Sequence, residues 1–180
     1  MPSLPPGLKL LTTAVRALAV LGIVAALIST PLMLLNTDWL MLQARHMVTG
    51  LDPALIVAGD RMRWLTVLGT LPGTALWLFA LWQTWRLFGN FAGGRFFELD
   101  TLRHFRQFAR AIFGMGLLGP VEDAWMSVAV TSSHPSGEQM LIVGFGSHDL
   151  MSILIGAALL AIAVVMTRAA SLAEENAGFV

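Results

Sequence analysis

Four apolar runs, each long enough to cross a bilayer, alternate with shorter polar segments along this chain. A hydrocarbon core of about 30 Å needs about 20 helical residues at 1.5 Å each. The runs Ala17–Leu35, Trp64–Trp85, Leu102–Met126 and Asp149–Thr167 meet that length. The pattern predicts an all-α integral membrane protein, a four-transmembrane-helix bundle, with residues 1–180 as a single membrane domain. Trp64 and Trp85 close the second run, where amphipathic indole rings favour the headgroup layer. The first run is too long for the apolar part of a secretory signal. The residues Leu27-Ile28-Ser29-Thr30-Pro31 also lack a small-x-small cleavage pattern, so the run is expected to be a retained span.

The polar segments carry their own signals. Residues 36–63 form a longer loop with Gly50, Asp52 and Pro53 as turn residues, and its apolar positions Leu40, Met41, Leu42 and Met47 are expected to lie against the membrane. In residues 127–148, Ser127–Thr131 and Gln139–Phe145 are short β-prone runs on either side of His134-Pro135-Ser136-Gly137. They predict a small extracytoplasmic β-hairpin between spans 3 and 4.

Charge then gives the pattern a direction. Of 11 basic residues, Arg86, Arg95, Arg103, Arg106 and Arg110 lie in or just beyond the connector 86–101. With four spans, Lys9, Arg16 and Arg168 fall on the same side as these five, and only Arg45, Arg61 and Arg63 on the other. The positive-inside rule therefore places both termini and the connector in the cytoplasm. Within the connector, Gly93-Gly94 is a break and Phe96-Phe97 re-enters apolar surroundings. From Asp100 a helical projection puts Arg103, Arg106, Gln107 and Arg110 on one stripe, opposite Leu102, Phe105, Phe108, Ala109, Ile112 and Phe113. Asp100, in the first turn, suits the positive end of the helix dipole and the i+3 partner Arg103. The stripe is placed to meet anionic membrane lipid, at about 1 kcal/mol per arginine, or to dock a cytoplasmic protein.

Composition agrees with the membrane class: 56% of residues are hydrophobic, 12% are charged, and mean hydropathy is +0.73. A formal net charge of zero implies no bulk attraction to nucleic acid, so no direct nucleic-acid binding is expected. Absence of cysteine excludes disulfides, thiolate metal sites and cysteine nucleophiles. His46, His104, His134 and His148 have no metal-ligand spacing, and no cofactor or nucleophile motif is present, so neither a cofactor nor enzymatic activity is expected. Glu122 and Asp123 are the intramembrane polar pair to weigh. Starting the third helix near Leu102 puts Glu122 about 30 Å along it, at the far interface. Gly119-Pro120 and Pro72 are candidate kinks, while Gly69-x-x-x-Gly73, Gly22-x-x-x-Ala26 and Ala157-x-x-x-Ala161 offer close helix contact within the chain.

The segments LWQTWRLFGNFAGGRFF and LRHFRQFARAIFG, with the tail SHDLMSILIGAALLAIAVVMTRAASLAEENAGFV, resemble a bacterial four-span inner-membrane family, domain of unknown function 2975. The tail carries the closing Glu174, Glu175 and Asn176 before Phe179 and Val180, and the likeness runs from about the first span to the end. In that family a small hydroxyl residue caps the helix after the Gly-Arg-Phe-Phe run. Glu98 stands there in this chain, so Asp100 is expected to cap instead. The resemblance implies no activity. It does imply a partner of helix-turn-helix type, because many members are similar to partners of such regulators.

Two functions from different classes follow. One is a regulatory or scaffold component whose cytoplasmic face comprises Arg95, Phe96, Phe97, Arg103, Arg106 and Arg110 with the tail residues Glu174, Glu175 and Asn176. The other is a small oligomeric transporter or channel using Glu122 or Asp123.

Overall fold

The apolar runs fold as four long helices that extend past them into the flanking polar sequence. The computed structural model describes residues 6–36, 38, 40, 42, 59–133 and 141–177, with side chains at all of these except 6, 33, 34 and 174–177. Helix α1 spans Pro6–Leu35, α2 Asp60–Ala92, α3 Leu99–Thr131 and α4 Ser147–Ala177. Proline opens α1, where its missing N–H is no loss, and Asp60, Asp100 and Asp149 sit in the first turns of the others, at the positive end of the dipole. Because α2 continues to Ala92 and α3 begins at Leu99, the connector is only residues 93–98.

Three of the helices are long and apolar enough to cross a membrane, over Gly7–Leu32, Asp60–Ala92 and Ser147–Ala173. Helix α3 is as long as α2, at 33 residues, but carries arginines near its start and two carboxylates near its end. The principal contacts join consecutive helices, α1 to α2, α2 to α3 and α3 to α4. Helices α2 and α3 are therefore packed on two sides. Helices α1 and α4 turn aliphatic faces outward, among them Leu18, Leu21 and Leu27, and Leu154, Ile155 and Val165.

Small residues are prominent among what is buried: Ala80, Ala109, Ala111, Ala129 and Ala163 are all at most 2% exposed, beside larger ones such as Met62, Leu102, Met126 and Val130. A Cβ on Gly156 would fall 2.5 Å from the backbone nitrogen of Phe113, and one on Gly116 would fall 2.6 Å from the Asp149 carbonyl oxygen. Helices α3 and α4 are thus in backbone contact, the arrangement that favours association where lipid offers no hydrophobic driving force. Gly69 and Gly73 of α2 receive Trp125 and Glu122 of α3, and Gly22 of α1 receives Leu81 of α2. Ala157 and Ala161, by contrast, are exposed, and Gly156 and Ala163 form the buried stripe of α4.

The expected β-hairpin is not present: there is no strand among the described residues. Ser127–Thr131 is the last part of α3, and residues 141–146 are non-helical without ladder pairing. Tertiary burial overrides local β preference here, since Ser127, Ala129, Val130 and Thr131 are each at most 2% exposed. Their hydroxyls serve the helix. Ser127 Oγ donates to the Ala124 carbonyl at 2.8 Å and Thr131 Oγ1 to the Ser127 carbonyl at 2.8 Å. Ser127 Oγ also accepts the Ile142 N–H at 2.9 Å, tying the returning segment to α3 by a side chain. The turn 134–137, and Met41, Met47, Gly50, Asp52 and Pro53 of the longer loop, lie outside the described residues. In that loop Leu40 is 1% exposed, covered by protein, while Leu42 is exposed.

Gly156→Ala should destabilise the protein by about 1–3 kcal/mol, because backbone must move to admit the methyl group. Gly114→Ala, whose Cβ would meet only Leu76 Cδ1 at 3.7 Å, should be neutral or stabilising by up to about 1 kcal/mol. Thermal unfolding of both variants in one detergent checks the contrast.

Candidate functional site

The connector end is built on the way α2 stops. Gly94 takes φ +73°, which glycine adopts without strain. This lets its N–H reach the Phe91 carbonyl while the Arg95 N–H reaches the Asn90 carbonyl, both at 3.0 Å. Those two bonds are a Schellman motif. The usual apolar contact across that motif is replaced by a polar one, Arg95 Nη2 donating to Asn90 Oδ1 at 2.7 Å. The Asn90 side-chain amide in turn donates to Asp100 Oδ2 at 3.0 Å.

The clasp continues onto α3. Thr101, 1% exposed, donates its hydroxyl to the Arg95 carbonyl at 2.6 Å. His104 Nδ1 lies 2.6 Å from Oε1 of the buried Gln83, and its Nε2 lies 3.4 Å from Asp100 Oδ1, at ion-pair distance but not aligned as a hydrogen bond. Asn90 holds the Asp100 carboxyl below its ordinary range; slight burial opposes this, and the charges of His104, Arg86 and Arg95 add to the lowering.

Two expectations about this end are corrected. Glu98, extended at ψ 145°, occupies the N-cap without a side-chain cap bond and faces Arg95 at 3.7 Å. Asp100 neither caps α3 nor pairs with Arg103, because Asn90 and His104 take its two oxygens. Arg95 is likewise spent inside the connector, and Phe96 turns back on Phe91 at 5.5 Å between ring centroids. Phe97, Arg103 and Arg110 face outward, and Arg106 is half-buried. Glu174, Glu175 and Asn176 belong to the last turns of α4, and their side chains lie outside the described residues.

At the other end of α3, carboxylates gather between helices. The Glu122 carboxylate lies against Gly73 of α2, with Oε1 buried and lacking a hydrogen-bond partner. Trp125 beside it donates its indole N–H to the Leu65 carbonyl at 2.9 Å. Asp149 is 7% exposed, lies against Gly119, and accepts the Gly146 N–H at 2.8 Å, the reach-back half of a capping box at the start of α4. Asp123 approaches Gly144. From His104 to Asp123 is nineteen residues, about 28 Å of helix, and Asp149 to Arg168 is the same. Each pair is separated by about one hydrocarbon thickness, from one polar belt to the other, although on α3 Arg106, Arg110 and Glu122 lie between the two. Among the described residues no group of three His, Cys, Asp or Glu is arranged to hold a metal ion.

Gln83, Asn90, His104 and Asp149 were not singled out by the sequence reasoning. The first two had a signal: seven residues apart in an apolar run, they share one helix face. His104 stands four residues after Asp100, one turn along the same face. The carboxyl of Asp100 has a depressed folded pKa, so its contribution is complete above the unfolded value near 3.8 and is lost as pH falls through the lower folded value. Thermal unfolding in detergent should show wild type above Asp100→Asn at pH 6, with the gap narrowing as pH is taken below the unfolded value near 3.8.

Neither a curated protein nor a solved structure matches the chain. A family model described as "Protein of unknown function (DUF2975)" matches residues 54–178. The matched stretch contains α2, α3 and α4 with both polar belts, and leaves α1 outside. A match over residues 54–178, more than half of the chain, makes this protein a member of the domain of unknown function 2975 family.

Proposed function

We propose that this is a multi-pass inner-membrane protein, crossing four times with both termini and the connector in the cytoplasm, that acts without catalysis as a regulatory or scaffold component. The observation that carries this reading is the connector end itself. Its polar clasp holds the start of α3 in place while Phe97, Arg103 and Arg110 remain exposed, so an apolar ring and two cations project from a fixed platform. Such a surface suits a cytoplasmic protein with an acidic-apolar face, and the helix-turn-helix regulators implied by the family resemblance are the partners to try first.

The length of about 28 Å from His104 to Asp123 supports α3 as the fourth span, although Arg106, Arg110 and Glu122 fall within it. Orientation rests on the basic residues. Lys9, Arg16, Arg86, Arg95, Arg103, Arg106, Arg110 and Arg168 would lie on the connector side, against Arg45, Arg61 and Arg63 opposite.

A natural lack of cysteine makes single-cysteine labelling direct. In spheroplasts an impermeant maleimide should label Val143→Cys at once and Phe97→Cys only after permeabilisation; the opposite pattern ends the proposed orientation. Wild type purified in mild detergent should retain a cytosolic protein that Phe97→Ser/Arg103→Glu loses, and equal retention by both ends the docking reading.

A second reading, a small oligomeric transporter or channel, draws on the partnerless Glu122 Oε1. Proton- or cation-dependent flux in proteoliposomes that survives Glu122→Gln/Asp123→Asn unchanged would remove it.

A further inference from the structure

The geometry points to a bound anionic phospholipid whose phosphate is held by Arg106 and Arg168 in a groove between α3 and α4 at the connector end. The two helices run antiparallel in a register set by backbone contact, with Phe113 on Gly156 and Gly116 on Ile153. Seven residues from Phe113 back to Arg106 is about 10 Å, and at that level the register brings Ala163 of α4 opposite, with Arg168 about 7.5 Å further along α4. There a groove of about 410 Å³ is lined by Arg106, Val164, Thr167, Arg168 and Ser171.

The lining holds two guanidinium groups and no carboxylate. Among the described residues no acid pairs with either arginine, and Nε of Arg106 is buried without an acceptor. A buried charged donor without an acceptor is costly, and an anion in the groove supplies one. Thr167 Oγ1 donates to the Ala163 carbonyl at 2.7 Å and Ser171 Oγ to the Arg168 carbonyl at 2.9 Å, so both hydroxyl oxygens are left to accept. The groove therefore asks for an anion and for hydroxyl donors beside it. A phosphatidylglycerol headgroup carries both: a phosphate monoanion and a glycerol with two free hydroxyls.

Depth and surroundings favour a lipid over a soluble anion. Arg106 lies two residues from His104, beside the belt that ends the apolar stretch of α3. Val164 and Val165 are exposed on α4 at the same level, where acyl chains would run. The other basic residues differ: Arg103 and Arg110 are open to solvent or headgroups generally, and Arg16 stacks on Trp85 at 4.8 Å. The inference deepens the membrane reading above and is independent of which side the connector faces.

Full-length protein stripped of lipid in non-ionic detergent can be titrated with short-chain phosphatidylglycerol or phosphatidylcholine, with bound lipid read by native mass spectrometry. Wild type should retain phosphatidylglycerol in preference to phosphatidylcholine. Arg106→Gln/Arg168→Gln should bind it about 30-fold more weakly, at about fivefold per arginine, while Arg103→Gln/Arg110→Gln stays within about twofold. Equal retention of the two lipids, or equal loss in the control variant, overturns the proposal. So does displacement of phosphatidylglycerol by millimolar inorganic phosphate, which would mark a soluble-anion site. Should the double variant fail to fold, the exposed Arg168→Gln alone decides, and unchanged affinity there overturns the site. Maleimide labelling of Phe97→Cys tests orientation separately, so failure of one leaves the other standing.

Discussion

Backbones of α3 and α4 meet at Gly116 and Gly156 with no room for a Cβ, and α3 rests its Trp125 and Glu122 on glycines of α2. Everything else in the fold is arranged around those contacts. Lipid tails are as apolar as leucine, so burying leucine against leucine does little to join helices in a bilayer; close van der Waals approach does. Small residues at the interfaces let α3 come near on both sides. The larger aliphatic residues of α1 and α4 are left facing outward, where lipid would cover them.

Close approach also explains where the polar groups go. Between the belts much of the interface of α3 is alanine and glycine, which leaves little space for polar side chains. At the ends the helices separate into turns, and there Asn90, Asp100, Thr101 and His104 at one end, and Asp149, Ser127 and Trp125 at the other, satisfy exposed backbone groups and one another. Such buried polar contacts matter through the cost of leaving them unmade. The connector is short and cross-linked for this reason, and it presents Phe97 and Arg103 from a defined platform.

Much of this was legible in the order of residues. Length and hydropathy located the helices though not their ends, Gly93-Gly94 marked the end of α2, and Arg103 and Arg110 marked the outer face of α3 away from its buried Leu102 and Ala109. The misreadings share one cause. Ser127–Thr131 has the composition of a strand, and Asp100 that of a cap, yet both are committed to partners far along the chain: Ile142 for Ser127, Asn90 for Asp100. Local propensity is weak beside a buried contact, so residues at a crossing follow their neighbours in space.

By itself the sequence determined class and periodicity, because bilayer thickness and helix rise convert apolar length directly into span. It also determined the charge asymmetry, which is a count along the chain. Only the tertiary structure decided which arginine does what. Arg95 is consumed by Asn90 and Glu98, Arg16 lies over Trp85, Arg103 and Arg110 are outside, and Arg106 faces Arg168 across a groove. These six arginines look alike in the sequence. They differ because each role depends on what the packing of another segment places within a few ångströms of the guanidinium, and periodicity along one helix carries no information about that.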